Sequence, residues 1–165
     1  MDIHTAPYFS DPDTGFELRP LAASDNALAA EILAAATGDG TAEAAQVDID
    51  RARAAGDDRV IGGWLNDTLI SAYLIERDGM ANQVTLIAVT PEQRKQGFGK
   101  IMLMDALRRS GRRPLTAETD DDALGFYKKC GFKMVGRRKH PSGVFRYRVG
   151  WHAPRDGDDL KGRFA

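Results

Sequence analysis

Short apolar runs, broken by Gly, Pro, Asn and Asp, divide this chain into strand-length and helix-length pieces. Gly15 to Pro20 alternates weakly and predicts a first edge strand. Asp25 to Ala36 is rich in Ala and Leu and predicts a helix, which Asp39-Gly40 breaks. Thr41 can N-cap a second helix reaching about Ala55. Arg59 to Trp64 and Leu69 to Arg77 predict strands around the turn Asn66-Asp67, and Leu69 to Ile75 is apolar enough to be central. Asp78-Gly79 turns into a strand from Gln83 to Val89. The main helix is expected from about Gly97 to Arg109; it is apolar on almost all sides and so well buried, with Arg108 and Arg109 suiting its C-terminal dipole. Gly111 stops it. A short strand, Leu115 to Glu118, precedes a helix over 120–129. Lys133 to Arg138 and Val144 to Trp151 predict a closing hairpin around His140-Pro141-Ser142-Gly143.

This order predicts an α/β architecture, an α+β mixed sheet with helices on both faces. Residues 1–13 are turn-rich and read as an N-terminal extension, tied down by Tyr8 and Phe9. Residues 14–153 read as a single domain, and 154–165 as a loose, charged, Gly-rich tail.

Composition narrows the function classes. A chain of 165 residues suits one sizeable core. A net charge of −1 supplies no global field for nucleic acid or an anionic membrane, so neither is an expected partner. No apolar run approaches the roughly 18 residues of a bilayer span. The start Met1-Asp2-Ile3-His4 lacks the basic and apolar regions of a signal peptide. One cysteine, Cys130, excludes an internal disulfide and fits a reducing cytoplasm. His4, His140 and His152 are scattered, so no metal is expected.

The candidate chemistry starts where the strand ending at Val89 meets the main helix. Between them lies Thr90-Pro91-Glu92-Gln93-Arg94-Lys95-Gln96-Gly97-Phe98-Gly99-Lys100. Strand, glycine loop and helix start make an anion site, because helix N-terminal N–H groups point outward and the macrodipole favours negative charge. Gly97 and Gly99 let backbone approach a diphosphate without a Cβ in the way. A Walker loop fails, because Lys100 is followed by Ile101 and no Gly stands five residues before Gly99. A dinucleotide fingerprint fails because position 102 is Met.

What remains, Arg94-x-x-Gly97-x-Gly99, resembles the acetyl-CoA signature of the GNAT superfamily of N-acyltransferases. A second stretch, Asp120 to Phe132, resembles that family's Asn-x-x-Ala-x-x-Phe-Tyr-x-x-x-Gly-Phe pattern, with Ala123, Phe126, Tyr127, Gly131 and Phe132 in register. Asp120 stands where the family usually has Asn; it either weakens a bond to pantetheine or caps the helix. The resemblance covers roughly residues 14 to 150 and implies a GNAT-like fold of about six to seven strands. It further implies a central pair, 83–89 and 115–118, that is parallel and splayed, with a bulge in the first.

The resemblance implies acetyl-CoA as co-substrate, held by Ile87, Ala88, Val89, Arg94, Lys95, Gln96, Gly97, Phe98, Gly99, Lys100, Asp120, Ala123, Phe126 and Tyr127. It makes Tyr127 the general acid for the CoA sulfur and the bulge N–H, near Ile87 or Ala88, a donor to the acetyl oxygen. Tyr127 also reads as a packing tyrosine. The base stays open among Glu118, Glu76 and a water relay; Gln83 stands where some protein-acetylating relatives carry Glu. The expected reaction is acetyl transfer to a primary amine of a small molecule, with an acceptor pocket from about Ala35–Thr41 and Lys139–Val144. Acetylation of a protein N-terminus or lysine is one alternative, and a noncatalytic acyl-CoA sensor another. A homodimer is expected through the last hairpin and tail, where Val144 to Val149 looks like an exposed apolar edge.

Overall fold

The structure is a computed structural model that describes residues 9–152. His4, the anchoring Tyr8 and the tail from Pro154 lie outside the described residues. Four helices, α1 (Asn26–Leu33), α2 (Ala42–Ala55), α3 (Phe98–Ser110) and α4 (Asp121–Lys129), accompany eight strands. The strands are β1 (Phe9–Asp11), β2 (Phe16–Pro20), β3 (Val60–Leu65), β4 (Thr68–Asp78), β5 (Ala81–Val89), β6 (Leu115–Thr119), β7 (Lys133–Lys139) and β8 (Phe145–Trp151). They form one mixed sheet in the order β1-β2-β3-β4-β5-β6-β8-β7. The eighth strand comes from the stretch expected to be an extension. Phe9 pairs with Leu18 and Asp11 with Phe16, so β1 is the edge and Gly15 to Pro20 is not.

Contacts divide the described chain into two compact units, residues 9–76 with 84–109 and residues 77–83 with 110–152. In the first unit, pleat alternation sorts the helices. Ala72 and Leu74 of β4 join Ala29, Ala30 and Leu33 of α1 and Ala45, Ile49 and Ala52 of α2 in one buried cluster. Tyr73, between them in sequence, points the other way and bonds α3. Helices therefore cover both faces of this unit. The β3–β4 connection is a two-residue turn with Asn66 at φ 49 and Asp67 at φ 69, the left-handed pair that tight hairpins require. Thr41 caps α2 through the Ala44 N–H at 3.1 Å.

Helix α3 carries a buried charge cluster. The Tyr73 hydroxyl donates to Asp105 Oδ2 at 2.6 Å, Arg109 Nε donates to the same oxygen at 2.8 Å, and Arg108 reaches Oδ1. Asp105 and Arg109 are 3 % and 2 % exposed, so Arg109, expected to suit the dipole at the helix end, is also an interior ion-pair partner. Burial, and then the Asp105 charge, push the Tyr73 hydroxyl well above its usual range, so it stays a donor.

In the second unit β8 lies between β6 and β7. The strand expected to present an apolar edge is thus interior, and β7 is the edge. Its Lys133, Arg137, Arg138 and Lys139, with an irregularity between Met134 and Gly136, are the devices that discourage edge pairing, and two copies of it would face like charges.

The buried cluster on α3 yields a stability prediction. Asp105→Ala strands a buried guanidinium and a buried hydroxyl and should lower unfolding free energy by about 3–5 kcal/mol. Urea titration at pH 7 measures it.

Candidate active site

In the first unit, β5 ends at Val89 and a 3-10 turn, Pro91–Gln93, leads the chain toward α3. The Thr90 N–H is fixed to the Ile70 carbonyl at 2.8 Å, and Arg94 Nε donates back to the Val89 carbonyl at 3.1 Å. Lys95 (φ 63) and Gly97 (φ 89) are both left-handed, a backbone that gathers successive N–H groups on one side as anion-binding concavities do. For Lys95 that conformation costs about 1–2 kcal/mol. A Cβ on Gly97 would meet no atom within 4 Å, so the space above it is open to a ligand. The first helical bond of α3 runs from the Ile101 N–H to the Gly97 carbonyl. The N–H groups of Phe98, Gly99 and Lys100 precede it and have no intrahelical acceptor.

The side chains in this region are less available than the backbone. Arg94, Lys95 and Gln96 are exposed. Phe98 is only 6 % exposed and its ring lies 4.5 Å from that of Phe16, so it anchors the helix in the core and offers a ligand only its N–H. Ala88 packs toward the α1–α2 cluster, which puts Ile87 and Val89 on the opposite face of β5.

In the second unit, Glu118 is the next-to-last residue of β6, Asp120 is the N-cap of α4, and Ala123, Phe126 and Tyr127 lie within that helix. Asp120 Oδ1 accepts the Ala123 N–H at 3.0 Å, so this residue caps the helix. The other end explains Phe126-Tyr127-x-x-x-Gly131-Phe132. Gly131 is left-handed (φ 91), its N–H meets the Lys128 carbonyl, and the Phe132 N–H meets the Tyr127 carbonyl, each at 3.1 Å. This is a Schellman ending with its hydrophobic clasp, the Phe132 ring edge-on to Tyr127 at 5.6 Å. Phe126 packs on Tyr127 at 5.4 Å. The clasp fixes the Tyr127 ring, which is 4 % exposed, and burial pushes its hydroxyl up to about 12. Tyr127 is thus protonated at neutral pH.

The base candidates fare differently. Arg51 grips Glu76 with Nε at 2.8 Å and Nη2 at 2.9 Å. Those bonds hold the Glu76 carboxyl below its ordinary value although burial opposes them, which makes it a poor base at neutral pH. Glu118 takes a 3.2 Å ion pair from Arg138. Among the described residues no group of three or more His, Cys, Asp or Glu could hold a metal ion, and no helix is long and apolar enough to cross a membrane.

Two residues escaped the sequence reading. Asp105 was visible as a carboxylate inside an apolar helix with Arg108 and Arg109 at i+3 and i+4. Arg146 is half-buried on β8 and lies within electrostatic reach of the Tyr127 hydroxyl. Its only sequence signal was the alternation Arg146-Tyr147-Arg148.

The mixed sheet and the glycine loop at the head of α3 define an α/β domain with backbone donors gathered at a helix start. Comparison with known proteins narrows the class. Residues 32–146 match the family described as Acetyltransferase (GNAT) domain. The chain belongs to that family. It is 42 % identical over 50 residues to the peptidyl-lysine N-acetyltransferase YjaB of Salmonella typhimurium, a stretch that is 30 % of this chain and 34 % of the relative. The match therefore spans about a third of that relative's length. Among solved structures, Ard1 from Thermoplasma volcanium superposes with a TM-score of 0.69 at 18 % identity, covering 86 % of this chain and 99 % of that one. The paia N-acetyltransferase from Thermoplasma acidophilum, in complex with coenzyme A, gives 0.60 at 16 % identity over 81 % and 97 %. These likenesses show the shared fold.

The depressed Glu76 carboxyl yields a pH prediction. Its folded-state value lies below the unfolded one near 4.5, so its contribution is present above that value and is lost as pH falls through the folded-state value. Glu76→Gln should cost under about 1 kcal/mol at pH 7, the partner Arg51 being half exposed, and progressively less on acidification. Urea midpoints of both proteins across that range check it.

Proposed function

We propose that this protein is an acetyl-CoA-dependent N-acetyltransferase acting on a primary amine of a small molecule, in the cytoplasm. The observation that carries the reading is the exposed left-handed loop at Lys95 and Gly97 running into the head of α3. Family membership supports it, because GNAT acetyltransferases use acetyl-CoA. The lone, buried Cys130 supports a reducing compartment.

In this reading the loop N–H groups from Lys95 to Lys100 hold the diphosphate, and the charges of Arg94, Lys95 and Lys100 favour the remaining phosphate. Acetyl-CoA supplies an activated acetyl thioester. The Ile87 N–H donates to the acetyl oxygen as it gains negative charge, and one such donor is worth roughly 2.7–4 kcal/mol. The amine nitrogen forms its bond to the acetyl carbon, the carbon–sulfur bond breaks, and Tyr127 gives its proton to the departing sulfur. The proton lost by the amine passes to water, or to Glu118 once it leaves Arg138.

The lysine-acetylating relative favours a second reading, acetylation of a protein lysine. Gln83, in the position where some protein-acetylating relatives carry Glu, weighs against it. A thiol-release assay with acetyl-CoA, run on small amines and on a lysine peptide, separates the two; no release with any amine points to a sensor.

Tyr127→Phe keeps the ring inside its Phe126–Phe132 clasp and removes only the proton donor. We expect kcat to fall about 10²-fold with acetyl-CoA affinity little changed. Steady-state kinetics and calorimetry give the two values. A kcat within a factor of about two of the parent, where chemistry limits turnover, leaves Tyr127 a packing residue.

A further inference from the structure

One face of the β6–β8–β7 sheet gathers three arginines, of which one lacks a carboxylate among the described residues. Cross-strand partners in an antiparallel sheet share a face, and so do residues two apart on one strand. Glu118 pairs with Arg148, Gly136 with Arg148, and Arg138 with Arg146. Glu118, Arg138, Arg146 and Arg148 therefore share a face, and the 3.2 Å ion pair from Arg138 to Glu118 reaches across β8 to confirm it. Arg148 has its own carboxylate, Asp78 at 2.8 Å.

Arg146 sits between these two compensated arginines. Among the described residues no carboxylate pairs with it. It is also more buried than Arg138 and Arg148, whose side chains are 62 % and 47 % exposed. Two like charges directly opposite on a hairpin destabilise it unless an anion intervenes. Arg138 is relieved by Glu118; Arg146 is not. Of the arginines on this face, Arg146 is the one left without a carboxylate among the described residues, and its planar fork matches one.

Its position relates this charge to the chemistry. Arg146 is the β8 residue whose charge bears on the Tyr127 hydroxyl, opposing the upward push of burial. It is two residues past Val144, the end of the hairpin loop expected to border the acceptor.

We propose that Arg146 anchors a carboxylate on the acceptor, so that the amine acetylated belongs to an amino acid or another small amino-carboxylate. A carboxylate matches the planar fork of Arg146; the arginines beside it, Arg138 and Arg148, are already taken by Glu118 and Asp78, and Lys133 stands opposite Gly150, four residues further along β8. The inference rests on the proposed acetyltransferase activity and specifies its substrate class. Because the carboxylate contact is the same before and during acetyl transfer, it should act on KM more than on kcat.

The test is thiol release with acetyl-CoA on matched pairs of amino acids and their carboxamides, together with the corresponding phosphonates, for the parent, Arg146→Gln and Arg146→Lys. For the parent, kcat/KM should favour the carboxylate over the carboxamide by about 10- to 100-fold, mostly through KM. Arg146→Gln should bring that ratio near one, and Arg146→Lys should keep part of it, which a merely structural arginine would not do. Turnover of amines with no carboxylate preference overturns the inference and leaves the acetyltransferase reading standing. So does a preference that survives Arg146→Gln, or a phosphonate preferred to the carboxylate. No release with any amine removes the acetyltransferase reading and this inference with it.

Discussion

A helix cannot satisfy its own first N–H groups, and at the head of α3 the space above Gly97 is open. The Ile101 N–H is the first to find a helical acceptor, the Gly97 carbonyl. The two left-handed residues at 95 and 97 keep the preceding backbone from closing over the helix end. Backbone donors and a positive dipole end are worth more to an anion when they cannot relax, so what matters next is what holds α3 still. Two contacts do this from within the same unit. Phe98 packs its ring on Phe16 at the loop end, and Asp105 ties the far half of the helix to Tyr73 of β4. The proposed diphosphate grip is a consequence of these apolar and ionic anchors, neither of which touches the ligand.

The other unit uses a different device for a similar end. Tyr127 is aimed by the way α4 stops. The left-handed Gly131 returns the chain so that Phe132 lies against the Tyr127 ring, and Asp120 fixes the opposite end of the helix. The residues of the Phe-Tyr-x-x-x-Gly-Phe pattern thus describe a helix ending as much as a chemical site. Arg146, by contrast, comes from the hairpin beyond, whose residues the family patterns do not describe. Likeness of fold at 16–18 % identity does not reach that far.

Features with a local cause were legible in the sequence. Thr41 and Asp120 as caps, Gly131 as a helix ending, the Asn66-Asp67 hairpin and the glycine loop all depend on a few neighbouring residues, and each appears where expected. What was misread depends on partners distant along the chain. Val144 to Val149 looked like an edge because nothing in it announces that β7, which precedes it, passes outside it. Phe9–Asp11 looked like a turn-rich extension because three residues carry no periodicity; their pairing with Phe16–Leu18 makes them a strand. The dipole role expected of Arg109 left out its second one, since only the fold reveals that it is buried against Asp105. In the candidate site the backbone donors were legible, while the compensation of Arg138 and Arg148, which singles out Arg146, required the register of three strands.

If the backbone at the head of α3 grips the diphosphate, amide hydrogen exchange reads that grip directly. Exchange followed residue by residue, with and without saturating acetyl-CoA, should slow by at least about tenfold at the amides of residues 96–100. The amides of the α1–α2 cluster, already protected by the core, should change far less. Binding confirmed by calorimetry with unchanged exchange at 96–100 would place the diphosphate elsewhere.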